Sequence, residues 1–540
     1  MKRVQLFLLV VLSSVALAQK PAARPKLVVV IVIDQFRPDY LQRFSPYFGK
    51  GGFNLFLRRG TNFSEAEYKH AVTLTCPAHA VVLTGTHANV SGIINNQWYD
   101  AKSGKQEYCA ADSLVTLIGS SGPGRSPRNL IASTVGDELK RSNGGRSRVI
   151  AMAGKDRSAI MLGGHNADGA YWMEDSLFIT STHYMKQLPA WVRQFNASGQ
   201  VSSYAGKSWD RLLPRAAYAG MGPDYVAAEQ NVAGMGRTFP HRLAPDSSPR
   251  FLDGFNATPF QNEVLLELAR AAVTNEKLGE DDDPDLLALS LSANDLIGHA
   301  FGPNSHEVMD VTVRTDRLLE RFFAFLETQI GLRHVLIVLT ADHGVGPLPE
   351  LVGELHPGAG RLDPARIPAA AEAALRARYG APPAPGWIAH TAPPWVYLNV
   401  EAFGQKGIAI EEAERTARDG VKGVREVNQA LTATELRRQQ EKGTASSSAL
   451  SFYRDRSGNI YYELKPFIVP GREPTGTTHG SPWSYDTRVP LLWFGSGISP
   501  ATHTGTVSVA DVAPSLAFLL GISEPGGSTG RVLSEMLRRE

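Results

Sequence analysis

Residues 26–33 read KLVVVIVI, apolar and largely β-branched after the first position, and the run stops at Asp34. A run of this length without polar alternation predicts a strand buried on both faces. Residues 148–153, 286–291, 334–340 and 490–494 repeat the pattern, and residues 263–273 and 311–330 lie between them as candidate helices. Strands that alternate with helices predict an α/β fold with a mostly parallel central sheet flanked by helices.

In such sheets the binding crevice lies outside the carboxyl ends of the strands. The first four runs end at Asp34, at Lys155-Asp156-Arg157, at Asn294-Asp295 and at Asp342-His343. One polar residue at a strand end is commonly a turn or a helix cap. Ligand-type residues at three such ends, and a cation pair at another, predict a shared site. Two long stretches, 163–260 and 348–475, are expected to be inserted cap regions over that site, with surface decoration as the alternative. The acidic run 279–285 reads as a solvated loop.

The N-terminus changes the setting. Lys2 and Arg3 precede an apolar stretch from Leu6 to Leu12 that leads to Ala16-Leu17-Ala18. This is the pattern of a signal peptide over residues 1–18, followed by a catalytic domain over 19–540. The stretch is shorter than the roughly 20 residues needed to span a bilayer, so stable membrane insertion is not expected and a periplasmic or secreted location is. With 55 basic and 53 acidic residues the net charge is +2, which gives no bulk attraction for nucleic acid or an anionic membrane. In an oxidising compartment Cys76 and Cys109 could pair, but spacing alone leaves that open.

Several short motifs carry candidate chemistry. Asp295 and His299 are four apart, on one face of a helical turn, where a carboxylate and an imidazole can share a metal. Asp342 and His343 are adjacent and can serve one ion only if the chain turns, which Gly344 permits. His479 lies in Thr477-Thr478-His479-Gly480, and by itself is no better a candidate than His70, His79 or His306. Thr75 opens Thr75-Cys76-Pro77, a predicted helix start. Its hydroxyl is either a cap or a nucleophile, and the second role needs a cation beside it.

Taken in order, Asp34, Thr75-Cys-Pro-Ala-His79, Gly92-Ile-Ile-Asn-Asn96, Asp295-x-x-Gly-His299, Asp342-His343-Gly344 and His479-Gly480 resemble the type I phosphodiesterase/nucleotide pyrophosphatase branch of the alkaline phosphatase superfamily. Lys155-Asp156-Arg157-Ser158 is similar to the signature of its PafA-like and PhoK-like bacterial alkaline phosphatases. The resemblance implies an alkaline phosphatase-like fold and zinc-dependent hydrolysis of phosphate monoesters through a phosphothreonine on Thr75. It implies two Zn2+ per chain, one held by Asp34, Asp342, His343 and the Thr75 oxygen, the other by Asp295, His299 and His479. Asn96, Lys155 and Arg157 would grip the phosphoryl oxygens. Small phosphate esters are the expected partners and a monomer the expected state. A phosphodiesterase or nucleotide pyrophosphatase with the same two-metal site is the alternative. A sulfatase fits less well, because Cys76-Pro77-Ala78-His79-Ala80 lacks the Cys-x-Pro-x-Arg pattern, and so does a noncatalytic phosphate binder.

Overall fold

The computed structural model describes residues 24–444 and 446–538; the signal peptide expected over 1–18 lies outside them. All five apolar runs are strands of one eleven-stranded sheet. In chain order its principal strands are β1 (Leu27–Ile33), β2 (Thr61–Glu67), β3 (Val149–Ala153), β4 (Gly169–Glu174), β5 (Asp285–Leu291), β6 (Val335–Thr340) and β7 (Arg488–Gly495). They lie side by side as β2-β7-β6-β1-β5-β3-β4. The strands from β6 to β4 are mutually parallel, and β7 runs against both β6 and β2. Every residue of β1 is buried, as its unbroken apolar run requires of a central strand.

The register aligns the polar strand ends. Ile33 pairs with Leu291, Val32 with Thr340, and Ser290 with Ala153, so Asp34, the segment after Leu291, Asp342 and Lys155 emerge along one rim. Five helices position the site and its surroundings: α1 (Thr75–Thr84), α2 (Asp156–Gly163), α3 (Phe260–Asn275), α4 (Ala293–Phe301) and α5 (His306–Gln329). The fifth apolar run, β7, ends in no ligand-type residue because it is antiparallel and its carboxyl end points away from the rim. Its amino end, and the loop before it that carries His479, reach the rim instead.

Within the stretch 163–260, the first part extends the sheet: β4 pairs in parallel with β3, and Leu177–Ser181 folds back on β4. Further on, Trp209 Nε1 and the Leu212 N–H both donate to buried Asp310 on α5 at 2.7 Å. The stretch 348–475 holds a separate antiparallel sheet in the order Ile388–Ala392, Trp395–Leu398, Ile460–Leu464, Val427–Thr432. Helices Arg366–Tyr379 and Ile410–Lys422 accompany it, with their own apolar core around Ile367, Leu375, Trp387 and Val421.

Candidate two-metal active site

Two groups of ligand atoms converge at the rim. Asp34, Asp342 and His343 form one, Asp295, His343 and His479 the other, and within each group the ligand atoms lie within 4.8 Å of one another. His299 joins through its Nε2, 3.2 Å from Asp295 Oδ1. Asp34, Asp342 and His343 are fully buried, yet Asp34 Oδ1, Asp342 Oδ2 and His343 Nε2 have no hydrogen-bond partner. Buried polar atoms are rarely left so. Three such atoms from one ligand group are what a cation site requires, and the N and O donors suit zinc among several divalent ions.

The histidines are oriented for this. Nδ1 of His299 meets the Thr477 carbonyl at 2.8 Å, Nδ1 of His343 the Gly344 carbonyl at 3.0 Å, and Nδ1 of His479 the Thr73 carbonyl at 2.7 Å. A carbonyl only accepts, so each neutral ring carries its proton on Nδ1 and turns an Nε2 lone pair toward the carboxylates. Those Nε2 atoms lie 3.2–3.6 Å from Asp295, Asp342 or Asp34 oxygens.

Electrostatics point the same way. Burial, with the charges of Asp295 and Asp342 beside it, pushes the Asp34 carboxyl well above the usual range. Against burial, His299 and Lys155 hold Asp295 well below it, and His343 and His79 hold Asp342 below it. Burial depresses both His343 and His479, the latter further through the neighbouring rings. Burial works against the His299 imidazolium too, but Asp295 raises it. Lys155 Nζ sits 2.6 Å from both Asp34 Oδ2 and Asp295 Oδ2, where a single ammonium faces more negative charge than it can balance. Divalent cations are the natural complement.

Thr75 is the first residue of α1; Leu74, not Thr75, is the N-cap, and it makes no side-chain cap. The hydroxyl therefore stands at the positive end of the helix dipole, which favours a developing negative charge. Asn96 Oδ1 accepts the N–H of Cys76 at 2.8 Å, which leaves its amide NH2 to donate elsewhere. The Cys76–Cys109 disulfide forms, and the Cys109 N–H bonds the Asn96 carbonyl at 3.0 Å, so one cross-link fixes Thr75 and Asn96 together. Lys155 caps α2 as its N-terminal flank and Arg157 follows in the first turn. Lys155 is bonded to two ligand carboxylates rather than held apart from them. Arg157 Nε is buried without a partner, a free donor beside the site. Against burial, Tyr108, Asp156 and then Asp34 raise the guanidinium further, so it stays charged.

Two residues were given no role by the sequence reading. Gln35, at φ 62°, donates its N–H to Asp342 Oδ1 at 3.1 Å and its Nε2 to Asp295 Oδ1 at 2.7 Å, spanning both ligand groups. Nothing in sequence marks a left-handed glutamine. His79 had a signal, since it stands four residues after Thr75 on the same helical face; its Nδ1 lies 2.8 Å from the Thr75 carbonyl and 3.2 Å from Asp342 Oδ2. Two glycines make room. A Cβ on Gly298 would fall 1.8 Å from Gln35 Oε1, and one on Gly344 would fall 2.2 Å from the Tyr485 carbonyl. Gly344 thus serves close backbone approach, with its N–H bonded to the Asp486 carbonyl at 2.8 Å.

Known proteins align with this arrangement. The family described as type I phosphodiesterase / nucleotide pyrophosphatase matches residues 28–480. The chain is 35% identical to alkaline phosphatase PhoV of Synechococcus elongatus, over 96% of this chain and 94% of that protein. It is 33% identical to alkaline phosphatase PafA of Elizabethkingia meningoseptica over 98% of each. A crystal structure of wild-type PafA superimposes with a TM-score of 0.88 at 31% identity, covering 95% of this chain and 99% of that one.

Proposed function

The chain belongs to the type I phosphodiesterase/nucleotide pyrophosphatase family, and from that premise we propose that it is an alkaline phosphatase that hydrolyses phosphate monoesters at a two-zinc centre with Thr75 as nucleophile. The observation that carries the reading is the set of buried, unpartnered ligand atoms together with three histidines whose Nδ1 protons are committed to backbone carbonyls.

Asp34, Asp342 and His343 would hold one ion with the Thr75 oxygen; Asp295, His299 and His479 would hold the other, on the side of the departing oxygen. When bound, the two ions supply positive charge that eases ionisation of the nucleophile and stabilises the leaving alkoxide. Thr75 Oγ1 attacks phosphorus, the bond from phosphorus to the ester oxygen breaks, and the alcohol leaves with a proton. The phosphoryl group stays on Thr75 until water attacks phosphorus, the bond from phosphorus to Thr75 Oγ1 breaks, the threonine oxygen regains a proton and inorganic phosphate departs. Asn96 donates its free amide N–H to a nonbridging oxygen, Arg157 offers its planar fork, and Lys155 adds a point charge. A monoester carries more negative charge on the transferred group than a diester, so this cation pair favours the monoester.

The disulfide fits a periplasmic or secreted setting, and no helix among the described residues is long and apolar enough to cross a membrane. Thr75→Ala should lower kcat for p-nitrophenyl phosphate at least about a thousandfold while metal analysis still finds two ions per chain. Near wild-type turnover by that variant would refute the nucleophile.

A further inference from the structure

A cavity of 250 Å³ opens beside the metal rim, between His479 and Leu74 on one side and the small antiparallel sheet of 388–464 on the other. Leu74 immediately precedes the nucleophile. Across the cavity, Pro393 accepts a hydrogen bond from Asn95 Nδ2 at 2.7 Å, which anchors that wall next to Asn96. The volume is below the roughly 300–1,000 Å³ of sites for drug-sized ligands, so it suits a group of one or two rings.

Several polar groups of the walls are already paired. Trp483 Nε1 donates to the Leu464 carbonyl at 3.1 Å, and Tyr485 Oη accepts the Phe467 N–H at 3.1 Å. Glu463 accepts from Gln429 at 2.9 Å and from Asn428, and Asp486 accepts from Ser481. Lys465 stands exposed at the rim, and the Asp486 Oδ1 side-chain atom of the wall is buried without a partner. What remains for a ligand is mainly aromatic and aliphatic surface from Leu464, Phe467, Ile468 and Trp483. Phe467 holds a left-handed φ of 62°, with its ring against Tyr485 at 5.3 Å and His356 at 4.1 Å. Strain of this kind persists only where the surroundings fix it, and it gathers at ligand-binding positions.

We propose that this cavity receives the leaving group, and that the preferred substrates are phosphate monoesters of planar aromatic alcohols rather than of sugars or short alkyl alcohols. The proposal rests on the two-metal reading, which sets His479 on the side of the departing oxygen.

The test compares kcat/KM for 2-naphthyl and phenyl phosphate, whose leaving oxygens are similar in acidity, so that contact with the second ring is what the ratio reads. In the wild type the ratio should be about ten, from the extra apolar area buried. Ile468→Ala and Leu464→Ala should each bring it toward one. Independently of those variants folding, 2-naphthylphosphonate should inhibit the wild type at least about tenfold more tightly than methylphosphonate. Equal ratios across wild type and variants, with equal inhibition by the two phosphonates, overturn the cavity assignment while Thr75-dependent hydrolysis of p-nitrophenyl phosphate stands. Absence of all monoester hydrolysis overturns both.

Discussion

Gly298 occupies the interior of a helix, where glycine costs roughly 0.5–1 kcal/mol relative to alanine, and the Gln35 side chain fills the space a Cβ would take. Gly298→Ala should therefore change thermal stability little, while displacing Gln35 from Asp295 and lowering kcat/KM at least about tenfold by disturbing a proposed metal ligand. In a double-mutant cycle with Gln35→Ala the two losses should overlap rather than add; full additivity would show that they act separately. Asp486 gives a second test. Burial pushes its carboxyl up to about 8, against the hydrogen bonds from Ser481. A carboxyl raised on folding binds its proton more tightly in the native state, so its contribution to stability is greatest below about pH 4, the unfolded value, and is lost as pH rises toward 8. Asp486→Asn should flatten the decline of the melting temperature across that window; an unchanged slope would refute the assignment. At this scale the sequence was legible where a candidate ligand follows an apolar run, as at Asp34, Asp295 and Asp342, which the fold brings into two clusters able to hold a metal ion. It was not legible for Gln35, whose role depends on a backbone angle and on a glycine from another element.

Among elements, the apolar runs marked the central strands because burial on both faces leaves no polar positions to blur the pattern. Direction was hidden, since β7 carries the same kind of run as its parallel neighbours. Only the register shows that it runs the other way and thereby brings the His479 loop to the rim. The hydrogen bond from His479 Nδ1 to the Thr73 carbonyl, with Thr73 Oγ1 donating to the Ser481 carbonyl at 2.8 Å, ties that loop to the turn before Thr75. The Cys76–Cys109 pairing was also open in the sequence, because Cα proximity is a property of the fold. The two are separated by 33 positions, and closing a loop of that size stabilises the fold by about 3–4 kcal/mol in the chain-entropy description. Cys109→Ser should lower the melting temperature and, by loosening Asn96 against Thr75, raise KM. A variant with unchanged melting and KM would show that the cross-link fixes nothing.

For the whole molecule, bound metal would couple catalysis to stability. Ions that bind only the folded protein stabilise it by RT ln(1 + [L]/Kd), about 2.7 kcal/mol at a hundredfold excess over Kd. Chelation should abolish turnover and lower the melting temperature, and zinc should restore both; activity that survives complete metal removal would contradict the two-metal reading. The most direct test of the central claim is kcat/KM for p-nitrophenyl phosphate against bis-p-nitrophenyl phosphate, on zinc-loaded wild type, Lys155→Ala and Arg157→Ala. Faster turnover of the monoester, falling selectively by about a hundredfold in either variant as a lost charge contact in a desolvated site would cause, is the predicted result. Faster turnover of the diester, indifferent to both substitutions, would contradict it.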